Sequence, residues 1–576
     1  MKRSLLILLL VAAAAATQPL VPANPSHAVP LWSVYHGNSY AQASTPARGP
    51  EPADVLQAEY VSAGAVDGPS PWTLLGVPYP DGSQPLWGAT LNFVTKAILD
   101  ADGTLRFVDA ERIDFNPFSV SYNALALADG SFLTTDSDDR RLLRYGDAVP
   151  GDPDSPIALL GELPYPDGVD GTAGNLNVTY DGWIVVPTDD GRLFATRPDF
   201  GEVRVSDFQI GGGDVFYHNA FSLDEAGGLY LIAGQGMAKV HWTGDGFELA
   251  WEVPYHFRDP GCPEPTGPAQ ELKWTLEGNP CSGSGTTPTL VGVEGEDELV
   301  VVVDGHQPNN RLVAFWRDEI PADWTGLSGV DRRVAGIAAA PFATAEGRGF
   351  NTECSPTAWG YDIAFAQWGG IDPEDPLPGV QKFRWDPADR TLDLVWATDQ
   401  ATMNNVLTYS DGSGLVYGTG LADGVYTFYA LDWQTGEIAL ERPLGPDRAY
   451  LDGGNQVVVL SDRSVVYGSG EGGLVRIGPE GSVVATEPEA EVGTLEVFPN
   501  PTVDRLTVRF GLDRPGRARV TVRTLLGREV AVLADGPFGA GSHTVGGSTR
   551  DLAAGVYIVR IDAGRASAAR RVVRLR

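Results

Sequence analysis

Polar side chains recur just ahead of apolar runs at Asn123, Asn175, His218, Asn219, Thr286, Thr287, Asn351, Glu353, Asn404 and Asn405. Amides and hydroxyls so placed either bind a neutral, hydroxyl-rich or amide-rich ligand or cap the strands they precede. His218 titrates near neutrality, and Glu353 is the carboxylate of the set, so proton transfer or cation binding would fall to them. If repetition brings these positions round one axis, the expected ligand site is His218, Asn219, Asn351, Glu353, Asn404 and Asn405. Other chemistry is thinner. Asp304-Gly-His306 offers one ligand pair where a metal needs three or four, so no metal site is assigned. The acidic turns Asp136-Ser-Asp-Asp139 and Asp189-Asp190 resemble parts of calcium loops, which makes calcium the cation to consider, but no complete loop pattern is present. Nucleophile-elbow, zincin and phosphate-loop motifs are absent from the sequence.

The elements that must position these residues repeat. A small polar residue, a strand, an Asp-Gly-type turn and an apolar run recur in seven copies, for example Tyr122–Leu133, Asn175–Val186, Asn405–Val416 and Gln456–Val466. Each unit has room for about four strands, and radial repetition protects the sheet edges. The expectation is an all-β chain: a β-propeller over residues 50–490, seven-bladed, with eight left open by Trp87-Gly-Ala-Thr-Leu-Asn-Phe93 and Asp102-Gly-Thr-Leu105. Stacked β-sandwiches are the competing fold. Closure predicts that Gly473-Leu-Val-Arg-Ile477 pairs with a strand from before Asn123.

Met1-Lys-Arg and the apolar run Leu5–Ala16 read as a secretory signal peptide. Ala14-Ala-Ala16 and Ser26-His-Ala28 offer cleavage sites, so residues 1–28 are taken as signal and cleavage region. Residues 29–49, rich in Pro and Ala, are expected to be loosely ordered. No later run is long enough to predict a transmembrane helix. The formal net charge is −34. Residues 494–576 hold 14 Arg against 7 Asp and Glu, or +7, leaving −41 on the rest. So acidic a body disfavours nucleic acid and anionic membranes. Cys262 and Cys281 bracket a loop that a disulfide would rigidify by roughly 3 kcal/mol; Cys281–Cys354 is the alternative pairing.

From Thr494 the pattern changes to short alternating strands, suggesting a small immunoglobulin-like β-sandwich over 494–576. Phe498-Pro-Asn-Pro501, Leu526-Gly-Arg-Glu-Val530, Leu552-Ala-Ala-Gly-Val-Tyr557 and a basic end resemble the C-terminal sorting domain of type IX (Por) secretion. The resemblance implies handling by the type IX machinery. Passage through the periplasm and release or attachment at the outer surface would follow. Ala430-Leu-Asp-Trp-Gln-Thr-Gly-Glu-Ile438 resembles the repeat of quinoprotein-like (PQQ-binding-like) propellers, in which the Asp and Thr-Gly tighten an outer hairpin. Members that use PQQ often clamp it with a vicinal disulfide, and this chain has no Cys-Cys pair, so a PQQ site is not expected. The leading reading is an exported propeller that binds a ligand or partner. A quinoprotein-like oxidoreductase or a metal-assisted hydrolase on the same scaffold is the alternative.

Overall fold

The computed structural model describes residues 21–64, 66, 73–90, 92–113, 124–136, 140–173, 175–213, 220–233, 236–263, 266, 281, 284–293, 296–342, 354–367, 378–403, 406–453, 456–482, 492–512, 516–524, 529–538, 541–550, 552–563 and 566–575. The chain divides into two units, Met1–Val483 and Val484–Arg576. Both are built from strands, with only 3-10 turns between them among the described residues.

The first unit contains eight sheets among the described residues: seven of four antiparallel strands, and one, sheet 7 below, whose four antiparallel strands are joined by a fifth, parallel one. Seven are contiguous in sequence. Sheet 1 spans residues 74–112, sheet 2 spans 124–164, sheet 3 spans 177–205, and sheet 4 spans 222–254. Sheet 5 spans 289–339, sheet 6 spans 357–401, and sheet 7 spans 408–445. Sheet 8 is Val458–Val459, Val465–Ser469 and Gly473–Pro479, completed by Leu56–Ser62 from the far end of the chain. That pairing, Leu56 opposite Pro479 through Ser62 opposite Gly473, is the closure the sequence led us to expect. The seven sequence copies fall on sheets 2–8. Sheet 1 is the unit left open as an eighth: its first strand is only Leu74–Leu75, and a proline-containing loop delays its Asp81-Gly-Ser83 turn, which stretches the repeat. Trp87 lies in its second strand, and Asp102-Gly103 turns between its third and fourth.

Aromatic and aliphatic residues fill every junction between neighbouring sheets. Trp87 stacks on Phe132 at 5.4 Å between sheets 1 and 2. Trp183 meets Trp242 at 5.1 Å between sheets 3 and 4, and Trp316 meets Trp385 edge-on at 5.7 Å between sheets 5 and 6. Comparable clusters join sheets 2 and 3, 4 and 5, 6 and 7, and 7 and 8. The last packs Val458, Val466 and Leu474 of sheet 8 on Leu86, Ala97 and Leu99 of sheet 1. Followed in order, the clusters return to their start, so the sheets form a closed ring with no unpaired seam.

Buried cations on third strands reach across four of these junctions. Lys96 bonds Asp147 at 2.5 Å and the Ser155 carbonyl at 3.0 Å in sheet 2. Lys239 bonds Asp318 of sheet 5, and Lys382 bonds Asp362 at 2.9 Å and the Trp433 carbonyl of sheet 7 at 2.7 Å. Burial lowers the Lys382 pKa against the opposing pull of Asp362. Arg476 of sheet 8 bonds the Gly103 carbonyl of sheet 1 at 2.5 Å. Isolated charges do not survive burial, so each is matched by carboxylate or carbonyl oxygens.

The Asp-Gly-type turns also have a physical basis. Asp81, Asp129 and Asp462 each accept from the backbone N–H and hydroxyl of the Ser two residues on, at 2.5–3.0 Å. In the hairpin of sheet 7, Asp432 accepts from the N–H groups of Gln434 and Thr435, and Gly436 takes φ 74°. Asp432 and Thr435-Gly436 therefore tighten that hairpin.

In the second unit, Val492–Phe498, Arg505–Leu512 and Gly541–Ser548 form one sheet. Gly516–Thr524, Glu529–Phe538, Gly555–Ala563 and Ala566–Arg574 form the other. Leu506, Val508 and Phe510 of the first pack on Val520, Val522, Val559 and Ile561 of the second in one core.

Candidate functional site

Residues 29–49 are not loosely ordered. Ser33, His36, Ala43, Ser44 and Thr45 are all at most 3% exposed. This stretch, with Asn24–Ala28 before it, is a strap that touches the first strands of seven sheets. The carbonyls of Trp32, Ser33, Ser39, Tyr40, Gln42 and Ala43 accept from Leu75, Ala126, Leu223, Leu290, Ala358 and Tyr409 at 2.7–3.1 Å. Asn24 donates to the Val178 carbonyl at 2.8 Å, and Ser44–Thr45 runs parallel to Tyr409–Ser410. So short a segment reaches seven sheets only where their first strands converge, at the ring axis. It turns by left-handed residues: φ is 68° at Trp32, 62° at His36, 56° at Ala41 and 48° at Ala43. Each such non-glycine costs on the order of 1–2 kcal/mol, offset here by the bonds to the ring. A segment buried on all sides that changes direction every few residues has no periodicity, so composition alone suggested a loose tail.

The six residues expected to bind ligand, His218, Asn219, Asn351, Glu353, Asn404 and Asn405, lie outside the described residues, as does Asn123. Of the wider set, Asn175, Thr286 and Thr287 are described, and all are buried. Thr286 accepts from Val303 N at 3.0 Å, and Asn175 accepts from Leu176 N at 2.7 Å. Thr287 donates its N–H to Ser355 Oγ at 2.8 Å and meets His36 Nε2 at 2.9 Å. These three serve the strands and the strap. Burial holds His36 neutral, with a pKa well below the usual imidazole value.

The acids singled out for cations are engaged elsewhere. Asp304 is fully buried and bonds Arg311, Tyr255 and the His306 N–H. Asp189 holds Thr172, while Asp190 holds Thr188 and Arg192. Cys262 and Cys281 form a disulfide, and Cys354 is a buried thiol.

A cavity of about 520 Å³ opens between sheets 6 and 7. It is floored by Trp433 and Tyr409, stacked at 4.2 Å, with the half-buried rings of Trp359 and Tyr361 at its sides. Trp359 meets Tyr409 edge-on at 5.7 Å. Asp362 is gripped by Arg384 at 2.5 and 2.8 Å and by Lys382, which fixes its direction. The exposed Arg384, Asp411 and Gln434 complete a polar rim. Aromatic faces offer flat apolar area at little entropic cost, and the rim offers directional donors and acceptors. That combination suits a ring-shaped molecule with C–H faces and hydroxyl edges. Trp385, Trp396 and Trp433 pack at these junctions, and nothing in the sequence marks that this one remains open.

In the second unit, Asn500 bonds the Arg571 carbonyl at 2.8 Å and the Val573 N–H at 2.9 Å, and Thr502 exchanges backbone bonds with Val573 and Leu575. Tyr557 donates to the Ala553 carbonyl at 2.9 Å. The Pro-Asn-Pro motif thus locks the basic last strand in place, and Tyr557 closes the loop that leads into its neighbour. Residues 496–574 match the family described as the secretion system C-terminal sorting domain. The C-terminal unit is a sorting domain. It implies export by type IX secretion to the cell surface or beyond. The chain is also similar to an uncharacterized protein of Archaeoglobus fulgidus, 29% identical over 454 residues, spanning 74% of this chain and 83% of that one. Among solved structures it resembles Saccharomyces cerevisiae Sqt1 at 10% identity and TM-score 0.45, covering 73% of this chain and 97% of that one. It also resembles the Dos1 propeller at 11% identity and TM-score 0.42, covering 74% and 96%. None of the described helices is long and apolar enough to cross a membrane.

Because the two units cluster separately, deleting residues 494–576 is expected to leave the ring folded but undelivered. Fractionation of the host with a limited-proteolysis check of the retained protein tests this; normal surface delivery of the truncated chain overturns it.

Proposed function

We propose that this chain is an exported eight-bladed β-propeller with an immunoglobulin-like sorting domain, and that it binds saccharide at the outer surface in the cavity between sheets 6 and 7. The observation that carries the reading is the aromatic cleft with an ordered polar rim at Trp359, Tyr361, Asp362 and Arg384. The strap occupies the ring axis, where propellers often bind ligands, so binding moves to the junctions between blades. The hydroxyl-rich ligand expected at the axis fits this cleft through the directional donors and acceptors of its rim. Eight sheets joined by eight junction clusters support the blade count. Two facing sheets round one core support the sandwich.

The proposed route begins with a signal peptide cut near Ala14-Ala-Ala16 and passes through the periplasm. Cleavage after Ala28 would remove Asn24 and His27, both at most 5% exposed, from the strap.

The experiment is titration of the secreted protein with soluble oligosaccharides, followed by tryptophan fluorescence and calorimetry. Trp359→Ala is expected to weaken the bound sugar by about tenfold or more, since base or sugar stacking on one aromatic ring is of the order of 1–3 kcal/mol. A panel in which no sugar binds, or in which Trp359→Ala binds as well as the parent, removes the reading.

A further inference from the structure

A second cavity, of about 380 Å³, lies between sheets 4 and 5 beside the strap. Its wall holds a buried polar atom that nothing among the described residues satisfies. Gln42 is 1% exposed; its Nε2 donates to the Leu290 carbonyl at 2.9 Å, which fixes the amide, and its Oε1 has no partner. A buried carbonyl oxygen without a donor is costly, and such atoms usually await a ligand or a water. The charges around the cavity are unequal. Among its lining side chains Glu225 and Glu298 face Arg317, two carboxylates to one cation. Lys239 is held by Asp224 and Asp318, and Arg317 by Glu298 and Asp318. Among the described residues Glu225 receives the Tyr40 hydroxyl, at 2.5 Å. The cavity therefore has an acceptor-rich lining, with the Gln42 amide in its wall and Glu225 at its exposed rim, and a net negative charge.

We propose that this cavity binds a protonated primary amine, with its N–H donors shared between Gln42 Oε1 and the Glu225 carboxylate. Three donors on a compact ammonium match a neutral carbonyl and a carboxylate better than a hydroxyl matches them. Tyr40, whose hydroxyl burial holds protonated, orients Glu225. Arg317, already paired, lies over the Tyr40 ring at 5.4 Å and closes the far wall.

The test is calorimetry on the full secreted chain with putrescine, using 1,4-butanediol as the uncharged isostere and acetate as the anion. Putrescine is expected to bind at one site, with Glu225→Gln and Gln42→Leu each weakening it by about tenfold or more. Glu225 is exposed, so its variant tests the idea even if Gln42→Leu misfolds. Trp359→Ala is expected to bind putrescine like the parent, which separates this site from the saccharide cleft. No heat with putrescine, equal binding of butanediol, binding of acetate in its place, or an unaffected Glu225→Gln overturns the proposal.

Discussion

Replacing Arg476 by Met is expected to destabilise the ring by about 3–5 kcal/mol. The side chain is fully buried, and its five N–H groups are all used. Nε donates to Ser464, Nη1 to Glu59 and the Gly103 carbonyl, and Nη2 to Asp462 and the Ser482 carbonyl. These partners belong to the strand from the start of the chain, to the last sheet and to the first sheet. One residue thus ties together the three segments that close the ring. Part of the loss comes from Glu59, 3% exposed, which gives up the Arg476 guanidinium. The melting midpoint should fall by roughly 3–6 °C if the ring unfolds as one unit. Adding Glu59→Gln should restore part of that loss. An unchanged midpoint in Arg476→Met would show that the junction is held by its apolar cluster alone.

Acid should loosen the strap before it affects the rest of the ring. His27 is buried with its pKa lowered from 6.5 to about 4, chiefly by desolvation, with a bond to Asn177 acting the other way. His36 is lowered well below 6.5 by burial. Both are neutral in the folded protein and protonate near 6.5 when unfolded. The unfolded state therefore binds more protons below that value, and stability is full above pH 6.5 and falls as pH drops towards 4. For His27 the loss between pH 7.5 and 4.5 is about 2–3 kcal/mol. Denaturation at the two pH values, compared with His27→Gln, isolates it: the variant should lose less on acidification than the parent. Identical pH dependence in both would mean that His27 is not desolvated in solution.

Sheets 2–8 were legible in sequence because their first strand, turn and second strand are compact, and Asp129, Asp181, Asp411 and Asp462 mark the turns. Sheet 1 was legible only as an open eighth unit, through Trp87 and Asp102, because a loop separates Leu75 from Asp81. The sorting domain was readable from Asn500 and Tyr557, whose side chains make the bonds that fix its strands. The strap and the two cavities were not. His36, Gln42 and Tyr40 come close to Thr287, Leu290 and Glu225 only through the ring, across separations of 251, 248 and 185 residues. Buried cations were missed for the same reason, since Lys96 and Lys382 look like ordinary strand residues until the neighbouring sheet supplies their oxygens.

The strap also governs the order of assembly. Its first residues emerge first, yet Ser44 pairs with Tyr409, and Tyr417 donates to the Pro50 carbonyl across 367 residues. Closing a loop of that length costs about 5 kcal/mol of chain entropy before any contact repays it. Such high contact order means slow folding, and the axis cannot be filled until the seventh sheet exists. The leading end of the chain is therefore the last piece to lock. An export pathway that carries the polypeptide unfolded through its first membrane meets a chain unable to finish folding until nearly all of it has crossed.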